Sequence, residues 1–427
     1  MTFILAATFV IFLLLGVPIA FTLGAAAVLS LLWEGQIPLL VVPQRIFTGV
    51  DSFPLLAIPL FILAGELMEH SGISARLIGL AQVLVGWLRG GIGMSVVVAE
   101  IFFSGISGST VADTSALGTS MIPAMRRAGY SGPQAAAIVS AASGMGILIP
   151  PCINMVVYGI MAQVSIAALF AAGFLPAFVM AAALMLQLYV QAGHDSRLVV
   201  MVRPSGRMAL AAIGRAFVPL LMPVIIFGGI LSGIFTATEA GAVAVVYGLL
   251  VGIVIYRAID LARLYAILLE TVRVSGQIMV LVGVASLFAW ILSSQQVPQA
   301  LAAAIQRVAS GPVLFLLLTI VIMLLLGAVL DGLPAMIMLV PVLLPMAAQF
   351  NVDPMHFGIV IIAVIGVGLF LPPIGLGLIV AAAIAKESIS DVSRPLIPYL
   401  ATMMGTVLVI TFWPALTLIV PKVLGFR

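Results

Sequence analysis

The chain has 427 residues, of which 64% are hydrophobic and only 7% are charged, and its mean hydropathy is +1.35. A soluble domain carries about 25% charged residues, so this chain cannot cover a water-facing surface and must be solvated mostly by lipid. The formal net charge is +3, and the 17 basic residues stand singly or in small groups between apolar runs. That distribution is typical of loop anchors in a membrane protein and argues against a nucleic-acid partner.

The sequence carries none of the motifs that indicate an enzyme. Cys152 is the only cysteine, which excludes an intramolecular disulfide. His70, His194 and His356 lie far apart and lack metal-ligand spacing. No P-loop and no HExxH motif is present. We therefore expect neither catalytic activity nor an organic cofactor.

Apolar segments that meet or approach the length of a membrane span, about 20 residues, recur along the chain. They lie near residues 3–32, 53–70, 73–88, 133–160, 166–191, 216–233, 238–256, 275–294 and 396–420. The first has no basic start, so it is predicted to be a retained span or a broken pair of helices. The polar stretch 192–215 contains Arg197, Arg203, Arg207 and Arg215 and is predicted to be a cytoplasmic linker between two halves.

The two halves share a spacing of glycines and prolines. GMGILIPP at 144–151 corresponds to GVGLFLPP at 366–373, and Pro176 corresponds to Pro398. The offset is 222 residues in each case (366 − 144 and 398 − 176). Such residues are ordinary packing and kink devices of membrane helices, which explains either copy alone but not the equal spacing. The pattern predicts an internal duplication.

Paired helix interruptions at corresponding positions are typical of secondary transporters, whose binding sites lie near the middle of the bilayer. We therefore predict an all-α polytopic membrane protein with two inverted structural repeats. The repeats are predicted at 1–191 and 216–427, with re-entrant helical hairpins at about 90–127 and 312–350 and broken helices at about 133–160 and 354–381.

The first hairpin is predicted from the charges at its ends. Arg89 precedes it and Arg126 and Arg127 close it, so both ends are expected at the cytoplasmic face. Each apolar arm has about 15 residues, or about 22 Å of helix, which is too short to cross. The polar run SGISGST at 104–110 would form the tip, and GAVLDGLP at 327–334 would form its counterpart.

These segments suit a hard cation, which binds several oxygen donors at about 2.4 Å. Interrupted helices supply free carbonyl groups, glycines let the backbone approach, and serine and threonine add hydroxyl groups. We predict two or more sodium sites. Candidate ligands in the first half are Ser107, Ser109, Thr110, Gly144, Gly146 and Pro150, and in the second half Gly327, Asp331, Gly332, Gly366, Gly368 and Pro372.

Half-helix N-termini at the same points present unpaired N–H groups that favour an anion, so the pattern suits sodium-coupled uptake of a carboxylate. Ser104, Asp113 and Asn154 are candidates for substrate binding. Asp113 either caps the second hairpin arm or joins the site, and Asn154 either binds substrate or serves as a packing amide. Asp331 is an intramembrane carboxylate, and a role as ion ligand is compatible with capping the half-helix that follows.

Long segments of the chain resemble the large membrane subunit of tripartite ATP-independent periplasmic (TRAP) transporters. These are FFSGISGSTVADTSALGTSMIPAMRRAGY, SGMGILIPPC, GIFTATEAGAVAVVYG and GLFLPPIGLGL. The resemblance runs over essentially the whole chain, and it implies a multi-pass protein of the bacterial inner membrane.

The resemblance also implies an elevator mechanism driven by the sodium gradient. A small four-helix membrane subunit, a periplasmic substrate-binding protein and an organic-acid substrate are the partners it implies. A one-component sodium–carboxylate or tricarboxylate carrier of related fold is the alternative. An intramembrane protease would need paired aspartates or a Ser–His pair on facing helices, and a channel would not need paired broken helices.

Overall fold

The computed structural model describes residues 1–193, 199, 201–308, 311–330 and 332–426, without the side chains of 304–308. Every regular element in these residues is a helix, and eight helices are long and apolar enough to cross a membrane. Large apolar side chains such as Phe3, Leu14 and Leu261 point outward, where lipid solvates them. The predicted all-α polytopic membrane fold is confirmed.

In the residues that the structure describes, the first half contains ten α-helices. They are α1 (Thr2–Leu14), α2 (Ile19–Glu34), α3 (Val41–Val50), α4 (Ala57–His70, preceded by the 3-10 turn Phe53–Leu56), α5 (Ser74–Val85), α6 (Gly91–Ser107), α7 (Thr110–Arg127), α8 (Gly132–Gly146), α9 (Ile153–Ala162) and α10 (Ile166–Ala192). The pair α6–α7 is a helical hairpin, and α8–α9 is a broken helix, as expected in this half.

The described part of the second half also contains ten α-helices. They are α11 (Gly206–Leu231), α12 (Ala237–Leu249, continued by the π-helical turn Leu250–Ile255), α13 (Leu261–Ser294), α14 (Val297–Val308), α15 (Pro312–Val329), α16 (Gly332–Gln349), α17 (Pro354–Gly368), α18 (Leu376–Ala385), α19 (Ile389–Phe412) and α20 (Ala415–Val423). The pair α15–α16 forms the second hairpin, and α17–α18 forms the second broken helix.

The 222-residue interval of the sequence motifs also separates the helices. α7 and α16 begin 222 residues apart (332 − 110), and so do α8 and α17 (354 − 132). The caps recur with them. The Ser131 hydroxyl accepts from the Gln134 N–H at the start of α8, and the Asp353 carboxylate accepts from the N–H groups of Met355 and His356 at the start of α17.

The two broken helices form the centre of the molecule. All residues of α17 from Met355 to Gly368 are buried, and most of α8 is buried as well. Gly144 and Gly366, which are equivalent under the repeat, contact each other: a Cβ on Gly144 would lie 2.7 Å from the Gly366 carbonyl oxygen. Equivalent residues can touch only near the axis that relates the repeats, so the helices cross there and the crossing requires glycine.

The first apolar segment is a broken pair, one of the two arrangements expected, and is interrupted before Pro18, where Gly16 adopts a φ of +74°. Two other helix bounds differ from the sequence expectation. α13 has 34 residues and extends well before 275, because a helix satisfies its own backbone after it leaves the apolar layer. α11 begins at Gly206, within the stretch assigned to the linker, where the Ser205 hydroxyl accepts from the Met208 N–H.

Inverted repeats would place equivalent hairpin ends on opposite faces of the membrane. Arg127 ends α7 and Gln349 ends α16, and both are exposed. Arg127→Cys should therefore react with an impermeant maleimide from one face and Gln349→Cys from the other. The native thiol of Cys152 is buried and gives little background.

Arg89→Cys serves as the reference in this experiment, because it stands at the other end of the first hairpin. It should react from the same face as Arg127→Cys. Labelling of the Arg127 and Gln349 variants from one common face would contradict the inverted arrangement, and labelling of the Arg89 and Arg127 variants from opposite faces would contradict a re-entrant hairpin.

Gly144→Ala should destabilise the protein, because its Cβ has no room beside Gly366. Overpacking of this kind costs about 1–3 kcal/mol. Gly276→Ala on α13 is the control, since a Cβ there meets no atom within 4 Å. Thermal unfolding in detergent should show a lower midpoint for Gly144→Ala alone. Equal midpoints would mean that the crossing tolerates a side chain.

Candidate functional site

The tip of the α6–α7 hairpin is a two-residue turn. α6 ends at Ser107, Gly108 adopts a φ of +64°, and Ser109 is extended before α7 begins at Thr110. Glycine is required at 108 both by its positive φ and by its surroundings, because a Cβ would lie 3.0 Å from the Pro151 carbonyl oxygen. The turn therefore reverses the chain directly against the interruption of the first broken helix.

This tip is held from two sides. On one side, the Ser104 hydroxyl donates to the Gly146 carbonyl at 2.6 Å, which joins the hairpin to the end of α8. On the other side, Gly65 of α4 packs so closely that a Cβ would lie 3.0 Å from the Ser107 carbonyl oxygen. The Gly146 carbonyl, which also accepts from the Ile149 N–H at 2.8 Å, thus has a second donor from the hairpin.

Behind the tip lie two buried carboxyl groups, those of Glu100 and Asp113, which are 0% and 1% exposed. The Ser107 hydroxyl donates to Asp113 Oδ1, and the Ser143 hydroxyl donates to Glu100 Oε2 at 3.4 Å. Glu100 Oε1 and Asp113 Oδ2 have no hydrogen-bond donor in the described part of the chain. The two carboxyl groups lie close enough to interact electrostatically. Such a pair is costly in an apolar interior unless a cation or proton compensates it.

Sequence reasoning missed Glu100. It stands in the apolar run VVVAEIFF, and the criterion that singled out Asp331, a lone carboxylate within an apolar stretch, would have found it. Gly146 faces it: a Cβ at that position would collide with the Glu100 carboxyl group. The glycine of the G-x-G motif therefore makes room for a carboxylate that the motif itself does not reveal.

A cavity of about 330 Å³ lies in front of the tip, between the two hairpins, the two broken helices and α13. Its polar wall is made by Ser109, Thr110 and Asn154 from the first half and by Gln277 from α13. The remaining wall is mainly apolar. No lysine, arginine or histidine is among the described residues that line it.

Four helix N-termini meet at this cavity. Thr110 begins α7, Ile153 begins α9, and Leu376 begins α18, and each lines the wall; Leu333 stands one residue inside the start of α16. The starts of α7, α9 and α18 have no side-chain cap. The Gly377 N–H in the first turn of α18 donates to the Leu369 carbonyl, and the positive ends of the three helix dipoles lie at the cavity wall. The cavity can attract an anion without any basic side chain.

The candidate residues of the first half lie in three places: at the cavity wall, behind the tip and in the broken helix. Ser109, Thr110 and Asn154 line the cavity. Ser104, Ser107 and Asp113 lie behind the tip and are not among the residues that line the cavity.

Three further candidates belong to the broken helix. Gly146 faces Glu100, and the Pro150 carbonyl lies beside Gly105. Gly144 packs on Gly366 rather than on the tip. The Asp113 carboxylate bonds a side chain of the opposite arm, not an N–H group of α7.

The candidates of the second half lie in an apolar setting. Gly327 packs on Gly368, where a Cβ on Gly368 would lie 3.2 Å from Gly327 Cα, and Gly332 packs against Ile365. Gly366 lies at the crossing with Gly144. Pro372 is half-buried in the interruption between α17 and α18. Asp331 lies outside the described residues.

The two repeats have the same order of helices but different polar side chains at equivalent positions. Glu100 and Asp113 correspond to Ile322 and Ala335, and Ser107 corresponds to Val329. The carboxyl pair and its hydroxyl partner therefore belong to the first repeat alone. In the second repeat, backbone carbonyl groups and Asp331 are the oxygen donors that the sequence offers at the tip.

Comparison with known proteins identifies relatives over nearly the whole chain. The family model described as "Tripartite ATP-independent periplasmic transporter, DctM component" matches residues 6–416. The isethionate TRAP transporter permease protein DctMQ of Oleidesulfovibrio alaskensis is 37% identical over 96% of this chain, which spans 64% of that relative's length. The sialic acid TRAP transporter large permease protein SiaM of Vibrio cholerae is 34% identical over 96% of both chains.

Among solved structures, the YdaH transporter of Alcanivorax borkumensis has a similar fold, with a TM-score of 0.66. The match covers 88% of this chain and 89% of that one, at 16% sequence identity. At this identity the likeness concerns the fold alone.

Ser104→Ala should weaken the attachment of the hairpin to the broken helix. It removes one of the two donors to the Gly146 carbonyl and leaves only the N–H of Ile149, so the loss is that of one hydrogen bond, about 0.5–1.5 kcal/mol. Thr119→Ala is the matched control, because the Thr119 hydroxyl is exposed and bonds within its own helix. Unfolding in detergent measures both variants. A loss of stability no larger than that of the control would show that the bond does not hold the tip.

Proposed function

Because the chain belongs to the DctM component family of tripartite ATP-independent periplasmic transporters, we propose that it is the large membrane subunit of a sodium-coupled importer of organic acids. A periplasmic binding protein delivers the acid, and a small four-helix membrane subunit completes the membrane part. The family is one of transporter permeases, which is not a class of enzymes. The names of the relatives refer to isethionate and sialic acid, which are both organic anions.

The convergence of helix N-termini on one cavity supports the anionic substrate. Uncapped starts of α7, α9 and α18 point their N–H groups at a space whose described wall has no basic side chain. A carboxylate or sulfonate bound there is stabilised by hydrogen bonds and dipoles rather than by a full positive charge. Ser109, Thr110 and Asn154 add short polar contacts.

The buried carboxyl pair supports sodium as the coupling ion. Among the described residues, Glu100 Oε1 and Asp113 Oδ2 lack donors, the Ser107 hydroxyl bonds Asp113, and Gly146 packs against the Glu100 carboxyl group. A donor set made only of oxygen atoms suits a hard cation. A sodium ion bound there would compensate the buried negative charge of the carboxyl groups. We assign this region to one sodium ion and the tip of the second hairpin, with Asp331, to another.

Ion and substrate would be coupled through the first tip, which has a surface on each side. Sodium behind the tip holds Ser107 and Asp113 together, and the same turn sets the position of Ser109 and Thr110 at the cavity. A sodium ion that orders the turn raises the affinity for the anion, and by reciprocity the anion raises the affinity for sodium. The hairpins and broken helices then move as one unit against helices that include α13, as an elevator.

Uptake into proteoliposomes with the cognate binding protein and small subunit tests the proposal. Transport should require an inward sodium gradient. Glu100→Gln and Asp113→Asn, which keep the side-chain volume, should raise the sodium concentration for half-maximal uptake by about tenfold or more, because a charge-assisted contact is worth about 1.5–3 kcal/mol. Ser109→Ala combined with Asp331→Ala should also lose sodium-driven uptake.

Glu270→Gln is the control, since Glu270 is exposed and pairs with Arg273. It should leave the sodium dependence unchanged. Thermal stabilisation of the purified chain by sodium gives a second readout that needs no partner. Sodium-independent uptake, or an unchanged sodium dependence in both carboxyl variants, would contradict the assignment of the ion.

A further inference from the structure

A second cavity, of about 550 Å³, lies between α5 and the first turns of α11, away from the cavity in front of the first hairpin tip. Gly72, just before α5, and Gly79 of α5 lie across it from Ala211 and Ala212 of α11. Because these side chains are so small, the two neighbouring helices leave a groove that they cannot fill. A Cβ built on Gly79 would meet no atom within 4 Å, which confirms that the floor of the groove is open.

Two arginines stand at this groove, Arg76 from α5 and Arg215 from α11. The Arg76 guanidinium is held in place: it donates to the Gly72 carbonyl at 2.7 Å and lies 3.8 Å from the centre of the Tyr256 ring. Within the described residues, no carboxylate forms an ion pair with either arginine. Two cations with free donors therefore face a groove whose remaining wall is apolar.

We propose that this groove binds an anionic phospholipid, with its phosphate between Arg76 and Arg215 and an acyl chain along the small residues. Basic pockets between membrane helices are suited to anionic lipid headgroups. The adjoining surface of α11 exposes Leu210 and Phe217, so the groove opens beside side chains that face lipid. A free phosphate would satisfy the guanidinium groups but leave the apolar floor uncovered, which favours an amphiphile.

The position of the groove gives the lipid a structural role. α5 leads into the first arm of the hairpin, which begins at Gly91, and α11 opens the second half of the chain. A lipid that fills the space between them joins the base of the hairpin to the other half without a direct side-chain bond.

Native mass spectrometry of the full purified chain tests this inference, with dioleoyl-phosphatidylglycerol and dioleoyl-phosphatidylcholine as probes that share acyl chains and differ in charge. The native chain should retain phosphatidylglycerol preferentially. Arg76→Gln combined with Arg215→Gln should weaken that retention by about 30-fold, since each arginine contributes about one kcal/mol near an anionic lipid. Gly79→Leu, whose Cβ would meet no atom within 4 Å, should fill the groove and exclude both lipids.

Arg127→Gln combined with Arg263→Gln is the matched control, because it removes two exposed arginines that do not line the groove. It should bind like the native chain. Equal retention of phosphatidylglycerol by the native chain and the Arg76/Arg215 variant would overturn the proposal. Displacement of phosphatidylglycerol by millimolar inorganic phosphate would also overturn it, because it indicates a site for free anions. If the Arg76/Arg215 variant retained lipid normally but no longer copurified with the small membrane subunit, the groove would be a protein interface, and the proposal would again be overturned.

Discussion

The structure depends on one constraint: two helices are interrupted inside an apolar layer, where exposed backbone polar groups have no water to satisfy them. The protein meets this constraint by burying both broken helices at its centre, where Gly144 and Gly366 allow them to cross in contact. Hairpin tips then cover the interruptions. The Ser104 hydroxyl takes the carbonyl at the end of α8, and the uncapped starts of the second half-helices are turned toward a common cavity. The convergence of helix N-termini on one cavity is thus a consequence of how the interruptions are accommodated.

Much of this fold can be predicted from sequence, because the spacing of glycines, prolines and charged residues indicates where helices are interrupted and where hairpins end. The 222-residue offset located both hairpins and both broken helices, since the residues that interrupt a helix are the ones that recur. Helix ends outside these motifs were harder to place. α13 continues far beyond its apolar core, because a helix needs no apolar neighbours to satisfy its backbone, and the start of α11 within the polar stretch depends on the Ser205 cap.

Sequence reasoning singled out three of the residues that line the candidate cavity but not the contacts behind them. Ser109, Thr110 and Asn154 line the cavity, as residues at the tip and just past the first Pro-Pro would. The partner of Gly144 could not be foreseen, because a spacing within one repeat does not say which helix of the other repeat lies against it. Glu100 was missed, although its place as a lone carboxylate in an apolar run was a signal that could have found it. Its contact with Gly146 was not predictable, because it depends on the packing of α6 against α8.

The first tip also places two polar side chains on opposite sides of the turn within three residues of chain. Ser107 contacts the carboxyl pair, and Ser109 lines the cavity. Substitutions on the outer side, or on the facing surface of α13, would reshape the cavity and leave the contact between Ser107 and Asp113 unchanged. The wall of the cavity and the buried carboxyl pair can therefore vary independently among related chains, whose names refer to molecules as different as isethionate and sialic acid.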